Sequence, residues 1–237
     1  MSNIQINKFD SREELFSAVA NACRSQLEKV LKEKNKASFI IPGGTTPAPS
    51  FAQLAIADID WKNITIGQSD ERWVDADHEQ SNQGLTQKTL LIDNAKSAKY
   101  VAMKNSAPDP FAGESQCNSD YAAIAPFSVT MLGMGLDGHI ASLFPNSKTI
   151  DQALSLNNEN TCIAIDAEGC KVAGDFPHRM SLTLSAIVKS ELIILLVTGS
   201  EKLSVIEKAM ITNDPKVLPV SGILNQQKTA VKIFWAE

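Results

Sequence analysis

The sequence predicts a three-layer α/β fold, a mostly parallel β-sheet with helices on both faces, folded as one domain over residues 1–237. Three observations lead there. Short apolar runs recur along the whole chain, each separated from the next by enough residues to hold a helix. The runs carry apolar side chains on both alternating faces, as strands do when a sheet is covered on both sides. No Gly/Ser-rich linker, composition break or fixed-period repeat divides the chain, whose length suits one large domain at about 150 residues per domain.

A long amphipathic helix is expected after Asp10. Ser11-Arg12-Glu13-Glu14 places a capping hydroxyl three residues before a carboxylate, and Phe16, Val19, Ala20, Cys23, Leu27, Val30 and Leu31 follow at helical spacing. Strands are then expected over residues 38–41, 64–67, 100–103, 129–132, 162–165, 192–197 and 231–235. A helix through Phe51 and Leu54 should follow the first strand, another should start at Ser81-Asn82, and a third near Lys202. Residues 105–119 read as a polar loop, and Pro145 should halt any helix after Gly138 within about two turns.

Composition removes several classes of function. With 43% apolar and 21% charged residues, the chain can bury a core and lacks the signature of disorder. The net charge of −5 repels a polyanion, so nucleic acid is not an expected partner. The longest apolar run, 192–197, is far short of the roughly 20 residues that cross a bilayer, and the polar Met1-Ser2-Asn3 opens no signal peptide. A cytoplasmic protein without membrane contact is expected, monomeric or weakly self-associating. Cys23, Cys117, Cys162 and Cys170 show no C-x-x-C spacing, and His78, His139 and His178 lie far apart, so neither disulfides nor a metal is expected.

In such folds ligands bind beyond the carboxyl ends of the strands. After the first strand comes Pro42-Gly43-Gly44-Thr45-Thr46-Pro47, whose exposed N–H groups, hydroxyls and following helix N-terminus suit a phosphate or carboxylate. It is not a Walker A loop, because Gly-Lys-Ser/Thr is missing. The second strand runs into Ser69-Asp70-Glu71-Arg72-Trp73-Val74, three consecutive ionisable residues that are costly to bury unless paired or bound, so they should face a polar ligand.

The segment Gly133-Met134-Gly135-Leu136-Asp137-Gly138-His139 matches the spacing of the dinucleotide fingerprint. The chemistry argues against that reading, because an ionisable Asp-Gly-His stands where a pyrophosphate needs open backbone. The glycines instead aim Asp137 and His139 into a cleft, with His139 as general base and Asp137 orienting its ring. Lys202 beside a helix start is unfavourable unless an anion intervenes, and Arg179 supplies a second cation. No G-x-S-x-G elbow supports a serine hydrolase.

Together these segments, with Ile140-Ala141-Ser142-Leu143-Phe144-Pro145, Arg179-Met180-Ser181-Leu182-Thr183-Leu184 and Thr198-Gly199-Ser200-Glu201-Lys202, resemble the 6-phosphogluconolactonase family over nearly the whole chain. Related glucosamine-6-phosphate deaminases share the Gly-Gly-Thr turn and the Asp-Gly-His segment. In those relatives an acidic residue stands where this chain has Phe144, which cannot transfer a proton. Asp75, Gln83 and Met180 depart from the lactonase pattern and bear on loop shape.

The resemblance implies a modified Rossmann-like fold and hydrolysis of 6-phospho-D-glucono-1,5-lactone without metal or redox cofactor. It implies His139 as base, Asp137 as its partner, and Arg72 with backbone N–H groups near Gly138 as oxyanion donors. It places the phosphate against Gly43, Gly44, Thr45, Arg179 and Lys202, with Asp70 and Asn82 binding sugar hydroxyls or holding Arg72. The alternatives are a deaminase, disfavoured by Phe144, and a sugar-phosphate sensor, disfavoured because the helix from Ser11 leaves no room before it for a DNA-binding unit.

Overall fold

The computed structural model describes residues 4–237, so Met1-Ser2-Asn3 and the reading placed on them lie outside the described residues. The first helix, α1 (Arg12–Lys34), is capped as its sequence dictates: the Ser11 hydroxyl accepts from the Glu14 N–H. Glu13 and Glu14 in its first turn and Lys32 and Lys34 in its last complement the helix dipole. It ends at Asn35, whose left-handed backbone turns the N–H back to the Leu31 carbonyl.

Seven strands form the central sheet: β1 (Ile4–Lys8), β2 (Ala37–Ile41), β3 (Ile64–Gln68), β5 (Lys99–Tyr100), β6 (Val129–Leu132), β9 (Leu192–Thr198) and β10 (Ala230–Ala236). They lie in the order β1-β10-β9-β6-β2-β3-β5, every neighbouring pair parallel. Alternate residues of one strand feed opposite cores. Leu192, Ile194 and Leu196 of β9 join α1 and α2 (Ala48–Ala55), whereas Ile193, Leu195 and Val197 join α4 (Pro110–Ala122), α7 (Ser200–Thr212) and α8 (Ser221–Leu224). A strand covered on both faces has no polar side, which is why these runs are continuously apolar.

The structure corrects four expectations. The run at 162–165 does not join the central sheet: β7 (Cys162–Asp166), β4 (Asp70–Arg72) and β8 (His178–Leu182) make a separate antiparallel sheet in the order β4-β8-β7. A short buried run carries no record of which sheet buries it. Residues 105–119 are not a polar loop throughout, because α4 starts at Pro110 behind an Asp109 cap. Its buried positions, Pro110, Gly113, Cys117 and Tyr121, include too few large apolar residues to show the stripe. The strand expected at 100–103 is only Lys99–Tyr100. After Gly138 there is no helix for Pro145 to stop: the chain makes turns and an Ile140–Leu143 bridge before α5 (Ile150–Leu154).

No helix among the described residues is long and apolar enough to cross a membrane. At the centre of the sheet β2 and β6 are neighbours, and from them the chain builds outward in opposite directions, to β3 and β5 on one side and to β9 and β10 on the other. The loops after β2 and β6 therefore part above a crevice, the topological switch point where α/β folds bind ligands. Leu27 of α1 is fully buried beneath this sheet. Leu27→Ala should cost about 2–5 kcal/mol in urea unfolding with the slope unchanged.

Candidate active site

A cleft of about 250 Å³ opens at this switch point, between the loops after β2 and β6, with β4, β8 and α7 closing its sides. His139 reaches it from the loop after β6. Its Nδ1 lies 2.6 Å from Asp137 Oδ1, and that oxygen also accepts from the His139 backbone N–H at 3.3 Å. Nε2 has no protein partner among the described residues. Burial works against ionisation of Asp137, yet the hydrogen bond and charge of His139 outweigh it and hold the carboxyl below its ordinary range. Gly135 makes the pair possible, because a Cβ there would overlap both the His139 ring and Asp137 Oδ1.

Of the three ionisable residues at 70–72, two face the cleft and one does not. Strand alternation puts Asp70 and Arg72 on one side of β4 and Glu71 on the other. Glu71 is buried, and its carboxylate takes the N–H groups of Arg72, Asn82 and Gln83 at 2.8, 2.9 and 2.7 Å and the Ser81 hydroxyl at 3.3 Å. Burial pushes its carboxyl up against those donors. Glu71 therefore fastens the start of α3 (Asn82–Thr89), whose N-cap is Ser81, to β4.

Asn82 is fixed on both ends: Nδ2 donates to the Asp70 carbonyl at 2.8 Å, and Oδ1 accepts from Arg72 Nη1 at 3.5 Å. The same Nη1 donates to the Gln80 carbonyl at 2.7 Å, while the buried Nε of Arg72 has no hydrogen-bond partner among the described residues. Any side chain at Gly43 would collide with Asn82. Asp70 accepts from the Ser142 hydroxyl at 2.6 Å and from Ser69 at 3.0 Å, which ties β4 to the turn beyond His139.

Arg72 and Arg179 are direct cross-strand partners in the β4–β8 pair. Like charges in that position repel, and among the described residues no carboxylate bridges them with a hydrogen bond. Burial lowers the Arg179 guanidinium from its ordinary value, Asp70 opposes that and Arg72 adds to it. Its Nε and Nη2 donate to the Phe176 and Ala173 carbonyls at 2.7 and 2.8 Å. Lys202, at the start of α7, also lines the cleft; it is half-buried, has no ion pair among the described residues, and burial lowers its ammonium. Three under-neutralised cations around one crevice are arranged for an anion.

Gly43, Gly44, Asp70, Arg72, Asn82, His139, Arg179 and Lys202 thus meet in one cleft, with Asp137 behind the imidazole. Two expected residues do not. Thr45 is exposed and off the cleft wall, where Thr46 stands instead, because the chain curls at Gly44 (φ 81°) into the turn that starts α2. The Gly138 amide is spent on the Gly135 carbonyl, so it is not a free donor. Sequence reasoning missed Ser142, Ala141 and the anchoring role of Glu71. Strand alternation could have separated Glu71 from its neighbours; nothing local signals that Ser142 meets Asp70. Among the described residues, Asp166, Glu168 and His178 come together as possible metal ligands, but none lines the cleft and Lys148 already bonds both carboxylates.

An imidazole held by an aspartate and a group of cations at the switch point of a parallel sheet are the parts of a site suited to acid–base chemistry on a small anion. Comparison with known proteins narrows the class. A family model described as glucosamine-6-phosphate isomerases/6-phosphogluconolactonase matches residues 10–235. The 6-phosphogluconolactonase of Caulobacter vibrioides is 36% identical over 235 residues, covering 99% of this chain and 98% of that protein. That of Pseudomonas putida is 30% identical over 98% of this chain and 93% of its own length. The crystal structure of a 6-phosphogluconolactonase from Shewanella baltica matches with a TM-score of 0.92 and 34% identity, over 98% of this chain and 97% of that one. The chain belongs to the glucosamine-6-phosphate isomerase/6-phosphogluconolactonase family.

The anchoring of Glu71 can be measured. Glu71→Gln keeps the shape but removes one carboxylate oxygen and the charge from four donors, so urea unfolding should show a loss of about 2–3 kcal/mol.

Proposed function

We propose that the protein hydrolyses 6-phospho-D-glucono-1,5-lactone to 6-phospho-D-gluconate in the oxidative pentose phosphate pathway, with His139 as general base. The observation that carries the reading is the shared cleft: an imidazole whose Nδ1 is occupied by Asp137 opens onto the same crevice as Arg72, Arg179 and Lys202. The relatives that cover the whole chain at 30% identity or more act as lactone hydrolases by name.

In the proposed step, His139 Nε2 takes a proton from water as the water oxygen attacks the C1 carbonyl carbon. The tetrahedral intermediate carries its negative charge on the former carbonyl oxygen, where Arg72 supplies the charge-stabilising contact. Its collapse breaks the bond between C1 and the ring oxygen, and the imidazolium returns the proton to that oxygen. Asp137 keeps Nε2 in the accepting tautomer at the start and steadies the imidazolium in between.

The phosphate lies against Gly43 and Gly44 with Lys202 and Arg179, remote from the reacting carbon, and holds the lactone in register. Asn82 and Asp70 act on the substrate chiefly by holding Arg72 and the Ser142 turn in place. Water as nucleophile and an imidazole as proton carrier need neither metal nor redox cofactor. A phosphorylated sugar as substrate supports a place in the cytoplasm. A deaminase would need a second proton donor beside the base, and Phe144 sets a hydrocarbon ring against His139 instead.

The direct experiment generates the lactone in situ with glucose-6-phosphate dehydrogenase and follows its disappearance with and without the protein; equal rates would end the proposal. His139→Ala should lower kcat by about 10²–10⁴ in the same lactone assay. Lys202→Ala should raise KM by about tenfold or more and leave kcat within about threefold, as expected for a contact made equally in ground and transition states.

A further inference from the structure

We propose that Phe144 is a positioning residue of this site: its ring, packed against both the imidazole of His139 and the guanidinium of Arg179, fixes the angle and spacing between the proton carrier and a cleft cation. The inference rests on the reading of the cleft just given, and it adds a residue to which that mechanism assigns no step.

The geometry is specific. Phe144 is 2% exposed, its ring centroid lies 4.6 Å from that of His139 at a tilt of 48°, and Arg179 Cζ sits 5.3 Å from the same centroid. Among the described residues, side-chain hydrogen bonds hold each neighbour along one edge. The Asp137 hydrogen bond pins His139 at Nδ1, and the close Gly135 backbone borders the same Nδ1–Cε1 edge, so neither sets the tilt of the ring plane. Arg179 is gripped at Nε and Nη2 by two carbonyls, which fixes the edge of its plane and not its height above the cleft floor. A flat ring against both supplies the missing restraint, and its π face favours a guanidinium that burial has partly stripped of water.

Phe144 is itself rigidly placed. Its N–H donates to the Ser142 carbonyl at 3.1 Å, its carbonyl accepts from Ser147 at 3.2 Å, and the Ser142 hydroxyl is bonded to Asp70. The turn that carries it includes Ala141 at φ 49°, a backbone state that alanine adopts at a cost and that surrounding contacts must maintain. Asp70, Ser142, Phe144, His139 and Arg179 thus form one connected unit.

The test uses the full chain with Phe144→Leu, which keeps apolar bulk but loses the flat face, and Phe144→Tyr, which keeps the ring. Three quantities are read: lactone turnover, affinity for inorganic phosphate by calorimetry, and the imidazole proton resonances of His139. The leucine variant should lose about tenfold in kcat, bind phosphate about threefold or more weakly, and shift the His139 resonances as the ring current disappears. The tyrosine variant should stay within about threefold of wild type in kcat. Combined with His139→Ala, Phe144→Leu should cost less than about twofold further in kcat while its effect on phosphate affinity persists.

Wild-type turnover and phosphate affinity in Phe144→Leu would overturn the proposal, as would equal impairment of the leucine and tyrosine variants, or an undiminished kcat loss in the His139→Ala background. Phe144→Met fills the same space without a ring and takes the place of leucine if that variant does not fold. A wild-type protein that does not speed lactone loss defeats the functional reading alone, because phosphate affinity and the imidazole resonances still decide what the ring does.

Discussion

Two arginines placed directly across from each other on β4 and β8 are the constraint around which this molecule is organised. Repulsion between Arg72 and Arg179 would splay the pair if each guanidinium were free. Instead, the carbonyl of Gln80 holds Arg72, and those of Ala173 and Phe176 hold Arg179. Carbonyl oxygens can restrain a guanidinium without neutralising it, so the charge is kept available to the cleft. A carboxylate in their place would have stabilised the free protein and competed with an anionic ligand.

The acidic residues nearby are correspondingly occupied elsewhere. Glu71 lies on the far side of β4 and binds the start of α3, Asp70 is engaged by Ser69 and Ser142, and Asp137 is turned to His139. Each carboxylate positions a loop or a ring and none forms a hydrogen-bonded ion pair with Arg72, Arg179 or Lys202. Segregation of this kind leaves net positive charge in the crevice of a chain whose overall charge is −5. Global charge and local field therefore point in opposite directions, and it is the local field that meets the ligand.

The imidazole depends on a different kind of restraint. The Asp137–His139 contact spans only two residues and needs a backbone with no side chain at Gly135. A loop so tight delivers the imidazole at a fixed place but controls its plane weakly, and the aromatic ring of Phe144 lies against it where control is wanting. The small antiparallel sheet and the central sheet thus meet at the site: one brings Arg72 and Arg179, the other His139 and Lys202, and the turn from Ile140 to Phe144 lies between them.

Much of this was legible in the sequence because it is local. The Ser11 cap, the continuous apolar runs and the glycine-bracketed Asp-Gly-His each encode their structure within a few residues, so fold class, the long helix and the Asp137–His139 contact could be read directly. Long-range pairing could not. Nothing near Cys162 says that its strand leaves the main sheet, nothing near Arg72 says that Arg179 will face it, and Ser142 gives no sign of Asp70. Thr45 and Thr46 are alike in chemistry, and only the path of the turn decides which one lines the cleft. Hydrophobic period and capping determine elements by themselves because their energies are settled between near neighbours; partners tens of residues apart are chosen by how layers pack, which tertiary structure alone decides.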